Sequence, residues 1–226
     1  MMNLTGLVAV ITGAGTGVGK ATSELLASQG ATVYLVGRRK YKLEEVTKNI
    51  NETGGKAYAF QADITNIDEI NQLKRFILVK ENRVDILINN AGIGGKPTSV
   101  YEHSVDDWRY SIELNLNSAF YMTNAFLPIL RKQKSGYVIS LTSMMVNLNY
   151  EGFSAYSAAK SGLEILMKTL QEEERQNGIY VSIVDPGNVK SEQNQDGKER
   201  PERIAELIYD CIQFPDEKNA NIIRLY

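Results

Sequence analysis

Short apolar runs rich in β-branched residues alternate along this chain with longer stretches in which apolar and charged positions recur at helical spacing. The runs at 7–11, 31–36, 56–61, 84–88, 136–141, 179–184 and 221–225 read as strands. Between them the pattern predicts helices at 17–29, 40–52, 67–80, 106–131, 155–176 and 201–213, with Gly30 and Gly54-Gly55 as stop signals. Strands that are apolar throughout, rather than alternating, are covered on both faces. Regular alternation of such strands with helices predicts a parallel sheet with helices on either side, an α/β fold. No linker, repeat or low-complexity tract divides residues 1–226, so one domain is expected. The polar segment 191–200 reads as a mobile loop.

Composition narrows the function classes. Net charge is −2, with both signs mixed along the chain, which gives no basic footprint for nucleic acid and no polybasic membrane anchor. One cysteine (Cys211) and one histidine (His103) leave no disulfide framework and no structural zinc site, so no metal is expected. No apolar run is long enough for a membrane span, and the N-terminus has no signal-peptide pattern. A soluble, cytoplasmic protein is expected.

The chemistry-bearing residues stand at the ends of the predicted strands. The first strand runs into Thr12-Gly13-Ala14-Gly15-Thr16-Gly17-Val18-Gly19. Glycines here let the backbone turn sharply and approach a pyrophosphate, and the following helix offers its unpaired N–H groups to the phosphates. The spacing departs from G-x-G-x-x-G and matches G-x-x-x-G-x-G at Gly13, Gly17 and Gly19. Strand two ends in Gly37-Arg38-Arg39 without the acidic residue that would accept a hydrogen bond from the ribose 2′-hydroxyl of NAD. Gly37 leaves room and Arg38 has the planar fork to pair with a 2′-phosphate, so NADP is favoured, with NAD left open. Asp63 after strand three is a candidate acceptor for the adenine amino group. Asn89-Asn90-Ala91-Gly92 after strand four suits close packing against the first loop and the adenosine ribose. Tyr156 and Lys160 are four apart on a helix and share one face. A free phenol titrates near ~10, and a cation beside it is expected to pull that value down towards neutral pH.

The ordered set Thr12-Gly-x-x-x-Gly17-x-Gly19, Asn89-Asn-Ala-Gly92, Asn115, Ser143, Tyr156-x-x-x-Lys160 and Pro186-Gly187 resembles the short-chain dehydrogenase/reductase family from about residue 7 to 191. The resemblance implies a Rossmann-like, doubly wound sheet of seven strands, a nicotinamide cofactor and carbonyl–alcohol interconversion. It makes Tyr156 the proton donor and gives Lys160 two tasks, lowering the Tyr156 pKa and holding the nicotinamide ribose. Ser143, thirteen positions before Tyr156, would hold the substrate oxygen in preference to Ser140 or Thr142, and the Asn115 side chain would hold a water leading from Lys160 to solvent. The expected dinucleotide contacts are Gly13, Thr16, Gly17, Val18, Gly19, Arg38, Arg39, Asp63, Ile64, Asn90, Ala91, Gly92, Tyr156, Lys160, Pro186, Gly187, Val189 and Ser191. Ser191 stands where the family usually has threonine. The family's longer substrate loop is cut here to about ten polar residues, and its Gly-Gly tail is replaced by residues 219–226.

Gly94, Met145, Tyr150, Phe153 and Asn188 are expected to line a mostly apolar, adaptable substrate pocket, which leans towards a neutral ketone, an aldehyde or a 3-oxoacyl group. Apolar positions on more than one face of helices 106–131 and 155–176 point to a homodimer or homotetramer. Two other readings of the same fold stay open, a dinucleotide-binding sensor without turnover and an epimerase or dehydratase working through a transient keto intermediate.

Overall fold

The structure, a computed structural model, describes residues 3–148, 150–192, 194–218 and 222–224. Its elements run β1 (Val8–Thr12), α1 (Gly17–Ser28), β2 (Thr32–Gly37), α2 (Lys40–Glu52), β3 (Lys56–Gln61), α3 (Ile67–Glu81), β4 (Ile86–Asn89), α4 (Val105–Ile112), α5 (Ser118–Gln133), β5 (Gly136–Leu141), α6 (Ser154–Glu174), β6 (Ile179–Asp185), α7 (Pro201–Gln213), a short α8 (Pro215–Lys218) and β7 (Ile222–Arg224). The seven strands form one sheet in the order β3-β2-β1-β4-β5-β6-β7, and every pairing is parallel. The expected doubly wound α/β architecture is therefore present. Residues 219–221 and 225–226 lie outside the described residues, and with them both ends of the predicted strand 221–225 and most of the C-terminal tail.

Successive side chains of a strand point to opposite faces, and the core divides accordingly. From β1, Ala9 and Ile11 pack with α1, α2 and α7 on one face. Val8 and Val10 pack with α3, α5 and α6 on the other. Burial of every β1 residue is why the run carries no polar alternation. The strand order reverses between β1 and β4, and the carboxyl ends of these two strands open the crevice where ligands bind in such sheets.

Two predictions need correction. The helix expected over 106–131 is interrupted: α4 gives way to a single π-helical turn, Glu113–Asn117, before α5 begins. The wider turn carries Asn115, whose buried amide bonds the backbone of Ile93, so a side-chain demand 22 residues away along the chain outweighs regular helix geometry. The segment 191–200 is not a free loop. Val189 pairs with Glu199, the Lys190 N–H donates to the Glu199 carbonyl at 2.9 Å, and the Asn194 amide reaches Asn188 Oδ1 at 2.7 Å. Its polar side chains satisfy their own backbone and fold the segment back on itself. Among the described residues no helix is long and apolar enough to cross a membrane.

Candidate active site

The glycine loop is shaped by steric necessity. Gly13 and Gly17 hold φ of +66° and +53°, a region that disfavours side chains. A Cβ on Gly19 would sit 2.4 Å from the Gly13 carbonyl oxygen and 2.6 Å from Asn90 Nδ2. The Asn90 amide in turn donates to the Thr12 carbonyl at 2.8 Å, and Thr12 Oγ1 accepts from the Asn90 and Ala91 N–H groups at 3.0 and 3.1 Å. The Asn-Asn-Ala-Gly turn thus buttresses the glycine loop from β4. Thr16 makes no side-chain cap to α1, and no acidic residue occupies that helix's first turn. The positive end of α1 faces the crevice unneutralised, which suits a pyrophosphate.

A cleft of about 550 Å³ runs from this loop across the switch point, a size that accommodates a dinucleotide-class ligand. Of the residues predicted to touch the dinucleotide, Gly13, Thr16, Gly17, Val18, Arg38, Arg39, Asp63, Ile64, Asn90, Ala91, Gly92, Tyr156, Lys160, Pro186, Val189 and Ser191 line it. Gly19 and Gly187 stand behind the wall. Gly19 lets α1 pack onto the loop, and Gly187, at φ +61°, turns the chain while its N–H donates to Asp185 Oδ1.

At the end beyond β2 the cations are already engaged. Arg38 Nη1 donates to the Tyr110 hydroxyl at 2.8 Å. Arg39 reaches Thr16 Oγ1 at 3.3 Å and pairs with Glu192 at 2.8 Å, and Lys42 stands 3.6 Å from the same carboxylate. Lys42 and Glu192 line the cleft and were missed by sequence reasoning, while Lys40 is paired with Glu44. Asp63 keeps one carboxylate oxygen on Thr65, through its N–H at 3.0 Å and its hydroxyl at 2.8 Å.

At the other end α6 presents Tyr156 and Lys160. Lys160 is buried and its Nζ donates to the Leu141 carbonyl at 2.8 Å, 5.9 Å from the centre of the Tyr156 ring. Burial pulls the Lys160 ammonium down to about 8. Tyr156 goes the other way from the expectation. Crowding of its hydroxyl by protein and, to a lesser degree, the Asp185 carboxylate push its pKa up, against a hydrogen bond with Ser143 that pulls it down. The sequence argument counted the cation and left out the desolvation of both partners; Lys160 spends its shortest contact on a carbonyl.

Ser143 Oγ accepts from the Met145 N–H at 3.2 Å, and its own proton is directed at the Tyr156 oxygen. The neighbouring hydroxyls are committed elsewhere, Ser140 to Met167 Sδ at 3.1 Å and Thr142 to the buried Glu164 at 2.7 Å. Asn115 is held by backbone on two sides. Its Oδ1 accepts from the Ile93 N–H at 2.9 Å and its Nδ2 donates to the carbonyls of Ile93 and Ser111, each at 3.0 Å. Both amide hydrogens are spent on protein, and the side chain fixes the 93–94 wall. It remains beside the lysine, because a Cβ on Gly92 would lie 2.8 Å from Asn115 Oδ1 and 3.3 Å from Lys160 Nζ.

The predicted substrate wall is only partly assembled. Gly94 lines the cleft, joined by Thr142 and by Ile93, Leu114 and Leu141, the last three not singled out by sequence reasoning. Met145, Tyr150, Phe153 and Asn188 stand outside it. Tyr150 is exposed, and Asn188 is occupied by the returning segment, accepting from Asn194 Nδ2 and from the Lys198 and Glu199 N–H groups.

Comparison with known proteins follows this geometry. A family model described as short chain dehydrogenase matches residues 7–202. A 3-oxoacyl-[acyl-carrier-protein] reductase of Synechocystis is 37% identical over 202 residues, covering 89% of this chain and 81% of the relative. An uncharacterised oxidoreductase of Staphylococcus haemolyticus is 32% identical, covering 98% of this chain and 97% of its own. Among solved structures, a metagenomic short-chain oxidoreductase in complex with NADP aligns with TM-score 0.89 at 31% identity, over 99% of this chain and 98% of that one. A 7α-hydroxysteroid dehydrogenase complexed with NADH and 7-oxo glycochenodeoxycholic acid aligns with TM-score 0.92 at 26% identity, over 99% and 94% of the two chains. With the family model matched over most of its length and relatives matched end to end, the chain belongs to the short-chain dehydrogenase/reductase family of NAD(P)-dependent oxidoreductases.

Proposed function

We propose that the protein interconverts a carbonyl and an alcohol with NADP(H), in one domain that holds both the dinucleotide and the catalytic side chains. The observation that carries this is the convergence of Tyr156 and Lys160, with Ser143 hydrogen-bonded to Tyr156, at one end of a cleft whose other end is a glycine loop at a helix N-terminus. The missing Cβ atoms of Gly13, Gly19 and Gly92 make the cradle fit a dinucleotide, since a side chain at any of the three would collide with the groups that shape it.

The bound nicotinamide supplies the hydride. The chain's own residues supply placement and the proton. Ser143, its oxygen anchored by the Met145 N–H, donates to the substrate carbonyl oxygen. Tyr156, kept protonated by its surroundings, gives that oxygen its proton as the alcohol forms. Lys160 has two N–H groups left after Leu141, which would hold the ribose hydroxyls of the bound cofactor, and its charge would favour the phenolate as the proton departs. Asn115 positions the 93–94 wall.

NADP is favoured because Arg38, Arg39 and Lys42 surround the end of β2 and the strand itself ends in no acidic residue. Among the neighbours one was solved with NADP and another with NADH, which supports a nicotinamide cofactor of either kind. The Synechocystis relative brings 3-oxoacyl thioesters into the substrate class alongside neutral ketones and aldehydes. Absorbance assays of NADPH consumption over ketones, aldehydes and acyl thioesters, repeated with NADH, are expected to find turnover with NADPH first. No consumption of either nucleotide with any of the three classes would reject the reading.

The reading includes self-association. Val105 and Trp108 on α4, Phe120 on α5 and Ile165 on α6 are exposed apolar residues, which pairing of these helices between subunits would cover. Light scattering is expected to return a multiple of 25.2 kDa. A monomer at micromolar concentration would refute this part alone.

A further inference from the structure

We propose that Glu192 is a built-in competitor for the cofactor's 2′-phosphate, a loop carboxylate that occupies the Arg39–Lys42 anion subsite and thereby sets the preference between NADPH and NADH. The inference rests on the dinucleotide reading above and adds to it the residue that decides between the two cofactors. Glu192 Oε2 lies 2.8 Å from Arg39 Nη2 and its Oε1 3.6 Å from Lys42 Nζ, so each oxygen faces one cation. Arg39 and Lys42 are the groups beyond the end of β2 that a phosphate at the adenosine ribose would meet, and both line the cleft with Glu192. The third cation there, Arg38, is turned to the Tyr110 hydroxyl, and the other carboxylate, Asp63, is tied to Thr65. Glu192 is therefore the anion that already sits where a phosphate would bind.

The segment carrying it is placed for this role. Ser191 lies over the glycine loop, its Cβ 3.8 Å from where a Cβ on Gly17 would be. The segment is rooted by the pairing of Val189 with Glu199 and by the Asn194 bridge to Asn188 and Val189. Glu192 can leave the two cations without those anchors giving way. Its pair with Arg39 is about half exposed on both sides, and such pairs are weakly held and easily exchanged for a stronger anion. Phosphate carries more charge than carboxylate and offers the guanidinium fork the same bidentate geometry. NADH brings only a 2′-hydroxyl, which can donate to Glu192 in place, as it would to the acid that β2 lacks. Glu192 thus taxes NADPH and supports NADH.

Dissociation constants for NADPH and NADH, measured by titration calorimetry on wild type, Glu192→Gln and Asp196→Asn, test this without turnover. Asp196→Asn removes the same charge from the same exposed segment, away from Arg39 and Lys42. Glu192→Gln is expected to shift the affinity ratio towards NADPH by about 2- to 5-fold, the size of one partly screened charge, while Asp196→Asn leaves the ratio alone. A wild-type ratio in Glu192→Gln, or an equal shift in both variants, overturns the proposal while the dinucleotide reading stands. Failure of wild type to bind either nucleotide overturns both.

Discussion

Replacing Tyr156 by phenylalanine is expected to lower turnover at least ~100-fold while dinucleotide affinity stays close to wild type. The substitution keeps the ring and removes only the hydroxyl, so the cleft wall that Tyr156 provides is unchanged. What is lost is the proton donor and the hydrogen bond to Ser143. A pre-placed hydrogen bond to developing charge, in a site that excludes water, typically contributes about 3 kcal/mol, which alone gives the ~100-fold. The pH dependence follows from the same groups. Tyr156 is raised above its ordinary value, so it holds its proton throughout the neutral range. Lys160 is lowered to about 8, so its charge is present below that pH and lost above it. Reduction by the wild-type protein is therefore expected to decline as pH climbs past about 8, with Lys160 the first group to change. Steady-state rates for both proteins across neutral and alkaline pH decide the matter. Near-normal turnover in Tyr156→Phe would remove the phenol from the chemistry, and a wild-type profile flat through alkaline pH would remove Lys160.

What the sequence disclosed, and what it hid, divides along physical lines. β1 and β5 were legible because residues covered from both faces are selected for one property, and their runs need no partner information to be read. The glycine loop was legible because its conformational demands fall on adjacent positions. Tyr156 and Lys160 were legible because helix geometry fixes which face they share. The π turn at Asn115 was not, since its cause is a backbone segment at Ile93 that no local pattern contains. Glu192 was hidden for a similar reason. A glutamate in a polar stretch reads as solvated until the fold brings that stretch over Arg39. Met145 and Phe153 were chosen for apolar character near the site, and character alone carries no direction. The Tyr156 pKa was misread because spacing reports a neighbouring charge and says nothing of the water both groups lose.

Gly19→Ala, a change of one methyl group, is expected to weaken dinucleotide binding at least ~10-fold and to lower the melting temperature, although alanine is the better helix former. Gly19 lies in the first turn of α1, where helix propensity alone would favour alanine by about 1 kcal/mol. The added Cβ, however, would meet the Gly13 carbonyl oxygen at 2.4 Å and its carbon at 2.9 Å, with Asn90 Nδ2 at 2.6 Å. Two of those three atoms are backbone and cannot swing aside, and the third is held by the Thr12 carbonyl. Overpacking of this kind typically costs about 1–3 kcal/mol, and contacts this short belong at the upper end, so the steric term wins over propensity. The strain is relieved by moving α1 away from the end of β1, which withdraws the helix N–H groups from the position a pyrophosphate would take. The two losses therefore have one cause and should appear together. Calorimetric titration with NADPH, alongside thermal melts followed by circular dichroism, tests the coupling. A variant that melts early yet binds like wild type would show that the glycine serves packing alone, and one that matches wild type in both would show that α1 and the loop have room the geometry denies.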